Sequence, residues 1–318
     1  MLRGWTEARV KHLQEMAGVV GKQPAEPPIV SMGSTGPPYV EEPYFIRDHI
    51  VTDGAQVTRP SIDPYREPVE THVYLCGGVV RLSMPIVVKL GPHLSNGFRE
   101  GVVRACYCMG VLAMVDKPTG LEKYGEGLLI DHAYVGDRVY AGCYGEPSRC
   151  RKSGKPFFAH VRAATDFSWL GSVLAHVSGV VVDEDLGGDD EVEVVVSLLD
   201  RELRRLGFRN SVSLVAGGWS VRGADDVFKL VALGADAVML STCVEKALEP
   251  LLTHDAYHVQ EKMENLLLGL QREIKLLAGA AGVSNIFNTL VGNRELLRAV
   301  ELPREIRTLL SIKLAGEG

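Results

Sequence analysis

Residues 211–242 read SVSLVAGGWSVRGADDVFKLVALGADAVMLST, and this stretch decides the fold. A β-rich run at 211–215 leads into a glycine pair, Gly217–Gly218. A segment of helical period follows over 224–233, and a second short apolar run at 237–240 ends in Ser241–Thr242. The pattern is a strand–loop–helix–strand unit with glycine or hydroxyl groups at both strand ends. Glycine has no Cβ to hold a ligand off, so backbone N–H groups there can reach an anion. Such a unit predicts a phosphate-bearing ligand at the C-terminal face of a parallel barrel.

Outward from this unit the same alternation recurs. Short β-rich runs lie at 85–90, 111–115, 128–133, 138–143, 156–161 and 179–183, and helical runs lie at 97–109, 167–176 and 190–206. Nearly continuous apolar strands alternating with helices mark a parallel α/β sheet. Eight strands predict a compact (β/α)8 TIM barrel, built in roughly 160 residues where about 250 is usual. Two connections, 116–127 and YVGD at 134–137, are short for a helix, so strands three and four are expected to form an irregular or hairpin-like pair. A doubly wound open sheet is the structural alternative.

The flanks read differently. GWTEARVKHLQEMA (4–17) predicts a short amphipathic helix with Val10, Leu13 and Met16 on one face. The proline-rich segment 24–43 predicts an extended arm over the body. Beyond Thr242 the chain turns helical, with a long helix expected over 259–281 and shorter ones over 294–300 and 304–312. The expected organisation is an N-terminal helix and arm over 1–80, the barrel over 81–245, and a C-terminal helical appendix over 246–318.

The 318 residues are 46% hydrophobic and 23% charged, an ordinary globular balance, with a net charge of −6. That charge disfavours generic nucleic-acid binding. The basic run RCRKSGK (149–155) is the local exception and reads as a solvated loop. No signal-peptide pattern opens the chain, and no apolar run reaches the roughly 18 residues of a membrane span. Cys76, Cys106, Cys108, Cys143, Cys150 and Cys243 make no metal-ligand repeat, so no resident metal and a reducing, cytoplasmic setting are expected. His254 and His258 share a helical face but have no third ligand, and read as a surface pair.

Several motifs in one order resemble the FMN-binding barrel domain of the glutamate synthase family, especially its stand-alone archaeal type. They are the leader AQVTRPSIDPYREPVET (55–71), the strand and helix LSMPIVVKLGPHLSNGFREGVVRACYCMG (82–110), GEG (125–127), and the final AGG…RGADDVFKLVALGADAVMLST. The resemblance runs from about residue 55 to 242, with an echo at 283–300. It implies an FMN barrel that combines 2-oxoglutarate with ammonia and reduces the imine to glutamate. By motif position, Gly217 and Gly218 would approach the flavin phosphate, Ser241 and Thr242 would add donors, and Gly187–Gly188 match the family's glycine-rich loop after strand six.

The chain also departs from the family. VEKALEPLLTHDAYHVQEKM (244–263) carries no cysteine where the family has its cluster cysteines, and Cys243 alone cannot hold a cluster, so no iron–sulfur centre is expected. Ala141 and His160 stand near two family lysines, Ala216 replaces an aspartate, and the loop GGWSVRG (217–223) is one residue longer. No stretch reads as a glutaminase or pyridine-nucleotide domain. For the complete reaction electrons would therefore have to come from a partner or a soluble donor; an electron-donor or glutaminase-type partner subunit is one expectation, and a homo-oligomer is compatible with the sequence.

The remaining chemistry is judged by what a flavin needs: a cation near its N1–C2 edge and an acid or base near N5. In FFAHVRAA (157–164) alternation predicts that His160 and Arg162 both point inward, with Arg162 the cation and His160 the proton carrier. Lys89 is a second cation, and Glu126 the acid after strand two. Asp183, Glu184 and Asp185 end strand six. A carboxylate there suits a ribityl hydroxyl or a metal, while the run DEDLGGDDE (183–191) would repel a phosphate. The leading expectation is a minimal FMN-dependent oxidoreductase acting on a small molecule. The alternative is a catalytically degenerate barrel serving as a binding or scaffold subunit. A non-flavin phosphate-binding isomerase or aldolase ranks last, because no mid-strand lysine suggests a Schiff base.

Overall fold

The computed structural model describes residues 2–20, 45–134, 140–149 and 155–317. Eight parallel strands close on themselves: β1 (Ile86–Lys89), β2 (Leu112–Val115), β3 (Leu128–Asp131), β4 (Gly142–Gly145), β5 (Phe157–Arg162), β6 (Gly179–Asp183), β7 (Ser213–Gly218) and β8 (Ala237–Leu240). β8 pairs with β1 through Val238↔Ile86, Met239↔Val87 and Leu240↔Val88, which seals the ring and rules out an open doubly wound sheet. Strands read as continuous apolar runs because both faces are covered: Ile86, Val87 and Val88, like Val180, Val181 and Val182, are fully buried.

Helices wrap the ring unevenly. α1 (Glu7–Ala17) precedes the barrel. α2 (Asn96–Met109) follows β1, α3 (Leu170–Val173) follows β5, α4 (Val192–Arg205) follows β6, and α5 (Ala224–Leu233) follows β7. α6 (Thr242–Ala247) and α7 (Ala256–Ala280) follow β8, and α8 (Arg304–Leu310) lies near the C-terminus. α7 packs against α2 and α5, so it fills the ring position that bridges the β8–β1 seam. Its first turn is capped by Asp255, which accepts the N–H groups of Tyr257 and His258.

Four expectations are corrected. β3 and β4 pair in parallel, Leu129↔Gly142 to Asp131↔Tyr144, rather than as a hairpin. The fourth strand, expected over 138–143, runs instead over Gly142–Gly145, with residues 140 and 141 outside it and 138–139 outside the described residues. The helix expected over 167–176 is only the four residues of α3. The helix expected over 294–300 is a 3-10 turn, Arg294–Leu296, followed by the strand Leu297–Ala299. Tertiary pairing overrides local propensity there, since Leu297–Ala299 bonds to the arm strand Ile50–Thr52 and to Lys313–Leu314. The arm over 24–43, and residues 150–154 of the basic run, lie outside the described residues.

The described part of the N-terminal segment docks on the outer side of the β7 loop. Arg47 donates to the Ser220 carbonyl at 2.5 Å and to Ser220 Oγ at 2.6 Å, and pairs with Glu193 of α4 at 2.5 Å. Arg222 pairs with Asp48 and with Asp226, the latter at 2.9 Å. All five of these charged side chains are buried, and each cation faces a carboxylate, as burial of charge demands. Phe45 lies under both guanidinium groups, 4.5 Å from Arg47 and 4.8 Å from Arg222, and Trp5 Nε1 donates to the Trp219 carbonyl at 3.0 Å.

Candidate active site at the C-terminal mouth of the barrel

The strand tips of β1, β5, β6, β7 and β8 bring a polar cluster together at one end of the barrel. Lys89, the last residue of β1, places Nζ 2.6 Å from Asp183 Oδ2 and 3.0 Å from Asp185 Oδ2. His160 on β5 places Nε2 2.6 Å from the same Asp183 Oδ2. Register explains the meeting: His160 lies opposite Val181 on β6, two residues before Asp183, so their side chains share the inward face. The His160 ring rests edge-on against Tyr144 of β4, with centroids 4.9 Å apart, and Tyr144 donates its hydroxyl to the Val115 carbonyl.

Asp183 is fully buried, yet it stays a carboxylate. Burial pushes its proton affinity up, but the hydrogen bond from His160 and the Lys89 charge outweigh this and hold it below the usual range. Ionised Asp183 accepts, so His160 carries its proton on Nε2, leaving Nδ1 as the nitrogen that exchanges protons. Burial pushes the Tyr144 hydroxyl well above its ordinary range, so it stays neutral.

Beside this cluster lies a cradle of hydrogen-bond donors. The Trp219 N–H points at Asp185 Oδ1 at 2.8 Å, Ser241 Oγ donates to the same oxygen at 3.2 Å, and Lys89 Nζ holds Oδ2. Gly218 makes room: its φ is +143°, and a Cβ there would come within 2.9 Å of Asp185 Oδ1. Glu184, next to it, accepts from Ser220 Oγ at 2.7 Å. Burial pushes its carboxyl up to about 7, against the opposing pull of Arg47 and Ser220.

The sequence-predicted residues separate into two groups. Lys89, His160, Gly217, Gly218 and Ser241 converge at this mouth, and Thr242 follows Ser241 at the start of α6. Gly187 and Gly188 lie in the loop after β6 on the same rim, where Gly188 passes so close to Ala163 that a Cβ would lie 2.0 Å from its carbonyl oxygen. Arg162 and Glu126 are not in the cluster. Arg162, at the exposed tip of β5, lines a separate cavity of about 290 Å³ bordered by Asp166, Trp169, Val182, Val195 and Leu199. Glu126 sits in the 3-10 segment Glu122–Gly127 that returns the chain to the start of β3, and the Gly125 carbonyl accepts from Ala141 just before β4. It therefore lies at the N-terminal rim, opposite the cluster.

Residues that pattern reading missed are Tyr144, Trp219, and the direct roles of Asp183 and Asp185. The signal for Asp183 was present: Asp183 ends β6, and His160 stands two residues before the end of neighbouring β5, with its side chain on the same face. Among the described residues no group of three or more His, Cys, Asp or Glu side chains is arranged to hold a metal ion, and the Lys89 ammonium lies between the two aspartates. His258 pairs locally with Asp255 at 2.8 Å, in keeping with a surface pair. Among the described residues no helix is long and apolar enough to cross a membrane.

No protein-family model matches the chain. Among solved structures, the recombinant flavin-binding domain of baker's yeast flavocytochrome b2 superposes with a TM-score of 0.58 at 16% identity, covering 83% of this chain and 81% of that one. A mandelate oxidase superposes at 0.62 with 14% identity, covering 93% of this chain and 100% of that one. At such identities the likeness is one of fold. An archaeal glutamate synthase (NADPH) of Methanocaldococcus jannaschii is 31% identical over 199 residues, 51% of this chain. That match spans 39% of the relative's length. The archaeal-type glutamate synthase (NADPH) of Thermotoga maritima is 32% identical over 415 aligned positions, covering 91% of this chain and 80% of that protein. Those aligned positions outnumber the 318 residues of the chain, so the relative carries segments within the alignment that are missing here. With identity sustained over most of that relative's length, the chain, a closed eight-stranded barrel, belongs to the archaeal-type glutamate synthase family.

Proposed function

We propose that this barrel is a minimal, glutamate synthase-like oxidoreductase that uses FMN and takes its electrons from a partner subunit or a soluble donor. The observation that carries the reading is the donor cradle of Trp219 N–H, Ser241 Oγ and Lys89 Nζ beside the Lys89–Asp183–His160 cluster. In charge and donor type these residues fit an anionic phosphate, and in this structure they already hold one anion, the Asp185 carboxylate. Family membership supports FMN as the group, and bound FMN would supply two-electron transfer.

The chain's own residues would then divide the work. Trp219 N–H, Ser241 Oγ and the hydroxyl of Thr242 would hold the phosphate, with Gly217–Gly218 and the Gly187–Gly188 loop giving clearance. Lys89 would balance negative charge at the mouth. His160, oriented by Asp183, would give or take a proton at Nδ1, and reduction of an imino acid consumes two protons along with two electrons. Arg162 and Glu126 take no part, given their positions. The absence of an iron–sulfur centre is part of this reading: the Cys243 thiol is buried against the Arg222 carbonyl, 3.8 Å away, and burial pushes it far from the thiolate a cluster needs.

A second reading, a catalytically degenerate barrel that binds or scaffolds a partner, is favoured by one observation: the cradle is filled from within by Asp185. The test is to incubate the purified protein with FMN, remove the excess, and record its visible spectrum. A retained flavin band, and anaerobic reoxidation of the photoreduced flavin by ammonia and 2-oxoglutarate, are expected from the first reading. A protein that retains no flavin and quenches no FMN fluorescence overturns it in favour of the second.

A further inference from the structure

We propose that Asp185 is a built-in competitor for the barrel's phosphate cradle, so that a phosphate-bearing ligand binds only by displacing its carboxylate. The proposal deepens the FMN reading where the ligand is FMN, and its inorganic phosphate arm stands without that reading.

The geometry is that of an anion and its receptor. Oδ1 of Asp185 accepts from the Trp219 N–H at 2.8 Å and from Ser241 Oγ at 3.2 Å, and Oδ2 accepts from Lys89 Nζ at 3.0 Å. The donors come from the β7 loop, the β8 tip and the β1 tip, and the loops after strands seven and eight are where barrels of this class hold phosphate. The carboxylate occupies the clearance that Gly218 provides. The Asp185 N–H donates to Asp183 Oδ1 at 2.9 Å, which aims the side chain into the cradle. A phosphate placed on the same donors would meet a carboxylate at contact distance, and two anions cannot share them.

The side chain is not locked in place. It is 24% exposed, and it follows a fully buried strand end in a loop whose next residues, Leu186 to Asp189, are exposed. It can therefore swing to solvent and leave Trp219, Ser241 and Lys89 to the incoming ligand. The competent, swung-out state is then a minor population, and apparent affinity is lowered by its fraction. The acidic residue thus sets how tightly this barrel holds phosphate, and so whether it carries its cofactor permanently or only when the ligand is abundant.

The experiment compares wild type, Asp185→Asn and Asp185→Ala with Asp189→Ala, which removes the same charge from the same loop outside the cradle. FMN binding is read by quenching of flavin fluorescence, and inorganic phosphate binding by the rise in Tm with millimolar phosphate. The expected order of affinity is wild type, then Asp185→Asn, then Asp185→Ala, with the last about tenfold or more tighter than wild type and Asp189→Ala unchanged. If no variant takes up FMN but Asp185→Ala alone gains stabilisation by phosphate, the flavin reading fails and the competitor stands. If wild type and Asp185→Ala bind FMN and phosphate equally, the competitor falls and the flavin reading stands. An equal gain in Asp189→Ala overturns the proposal in favour of general charge repulsion. Weaker binding in both Asp185 variants overturns it by making Asp185 a ligand.

Discussion

Strands β6, β7, β8 and β1 are followed by helices of up to 25 residues, α4, α5, α7 and α2, whereas β2, β3 and β4 are followed by 3-10 turns and β5 by the four-residue α3. The strands nevertheless pair all the way round. Comparing the halves shows that ring closure is a property of the strands, while the helices fix what stands on the strand tips. The cradle donors Lys89, Trp219 and Ser241 all come from the helix-backed half; the thinner half contributes His160. Next to α3 lies the cavity of about 290 Å³ between the outer faces of β5, β6 and α4.

The contrast can be broken or sharpened by mutation. The largest effect is expected from Asp226→Ala in α5, which leaves Arg47 and Arg222 buried with too little negative charge. A loss of about 3–5 kcal/mol in denaturant unfolding is expected, and a loss under 1 kcal/mol would show that the buried charges do not brace this half. A matched pair comes next: Leu203→Ala in α4 and Leu170→Ala in α3, both side chains buried. Within the range of about 2–5 kcal/mol for such changes, Leu203 is expected near the top and Leu170 near the bottom, because α3 is short and borders space into which neighbours relax. Equal losses would abolish the distinction between the halves.

The smallest effect concerns pH. Glu184 has its carboxyl pushed by burial up to about 7, from an ordinary 4.5. The native state therefore holds a proton that the unfolded chain has released between these values. The stabilisation is full below 4.5 and is lost as pH rises through about 7. Glu184→Gln is expected to remove about 2 kcal/mol of the stability difference between pH 5 and pH 8, seen in urea midpoints at the two pH values. An unchanged difference would mean that Arg47 and Ser220 already compensate the charge.

The barrel was legible in the sequence because parallel strands buried on both faces leave uninterrupted apolar runs, and the glycine pair with Ser241–Thr242 marked the strand tips that carry the cradle. Glu126 shows the limit. Motif order located GEG along the chain but not on a rim, and a 3-10 segment in place of a return helix leaves it at the N-terminal end. Alternation points Arg162 inward, but it loses force at the last residue of a strand. From the sequence, the acidic run after β6 suits a ribityl hydroxyl or a metal and would repel a phosphate. Only the fold shows its carboxylates committed to Lys89, His160, Trp219 and Ser241. Arg47 and Asp48 carried no local signal, since their partners lie far along the chain.

Those separations bear on the order of assembly. Arg47 reaches Ser220 across 173 residues and Glu193 across 146, and Arg222 reaches Asp48 across 174. Synthesis runs from N- to C-terminus, so Arg47 emerges well before Glu193, its first native carboxylate partner, and Asp48 well before Arg222. The arm is thus fastened only after α4, the β7 loop and α5 have been made, and the β7 loop takes its outer support from a segment synthesised long before it.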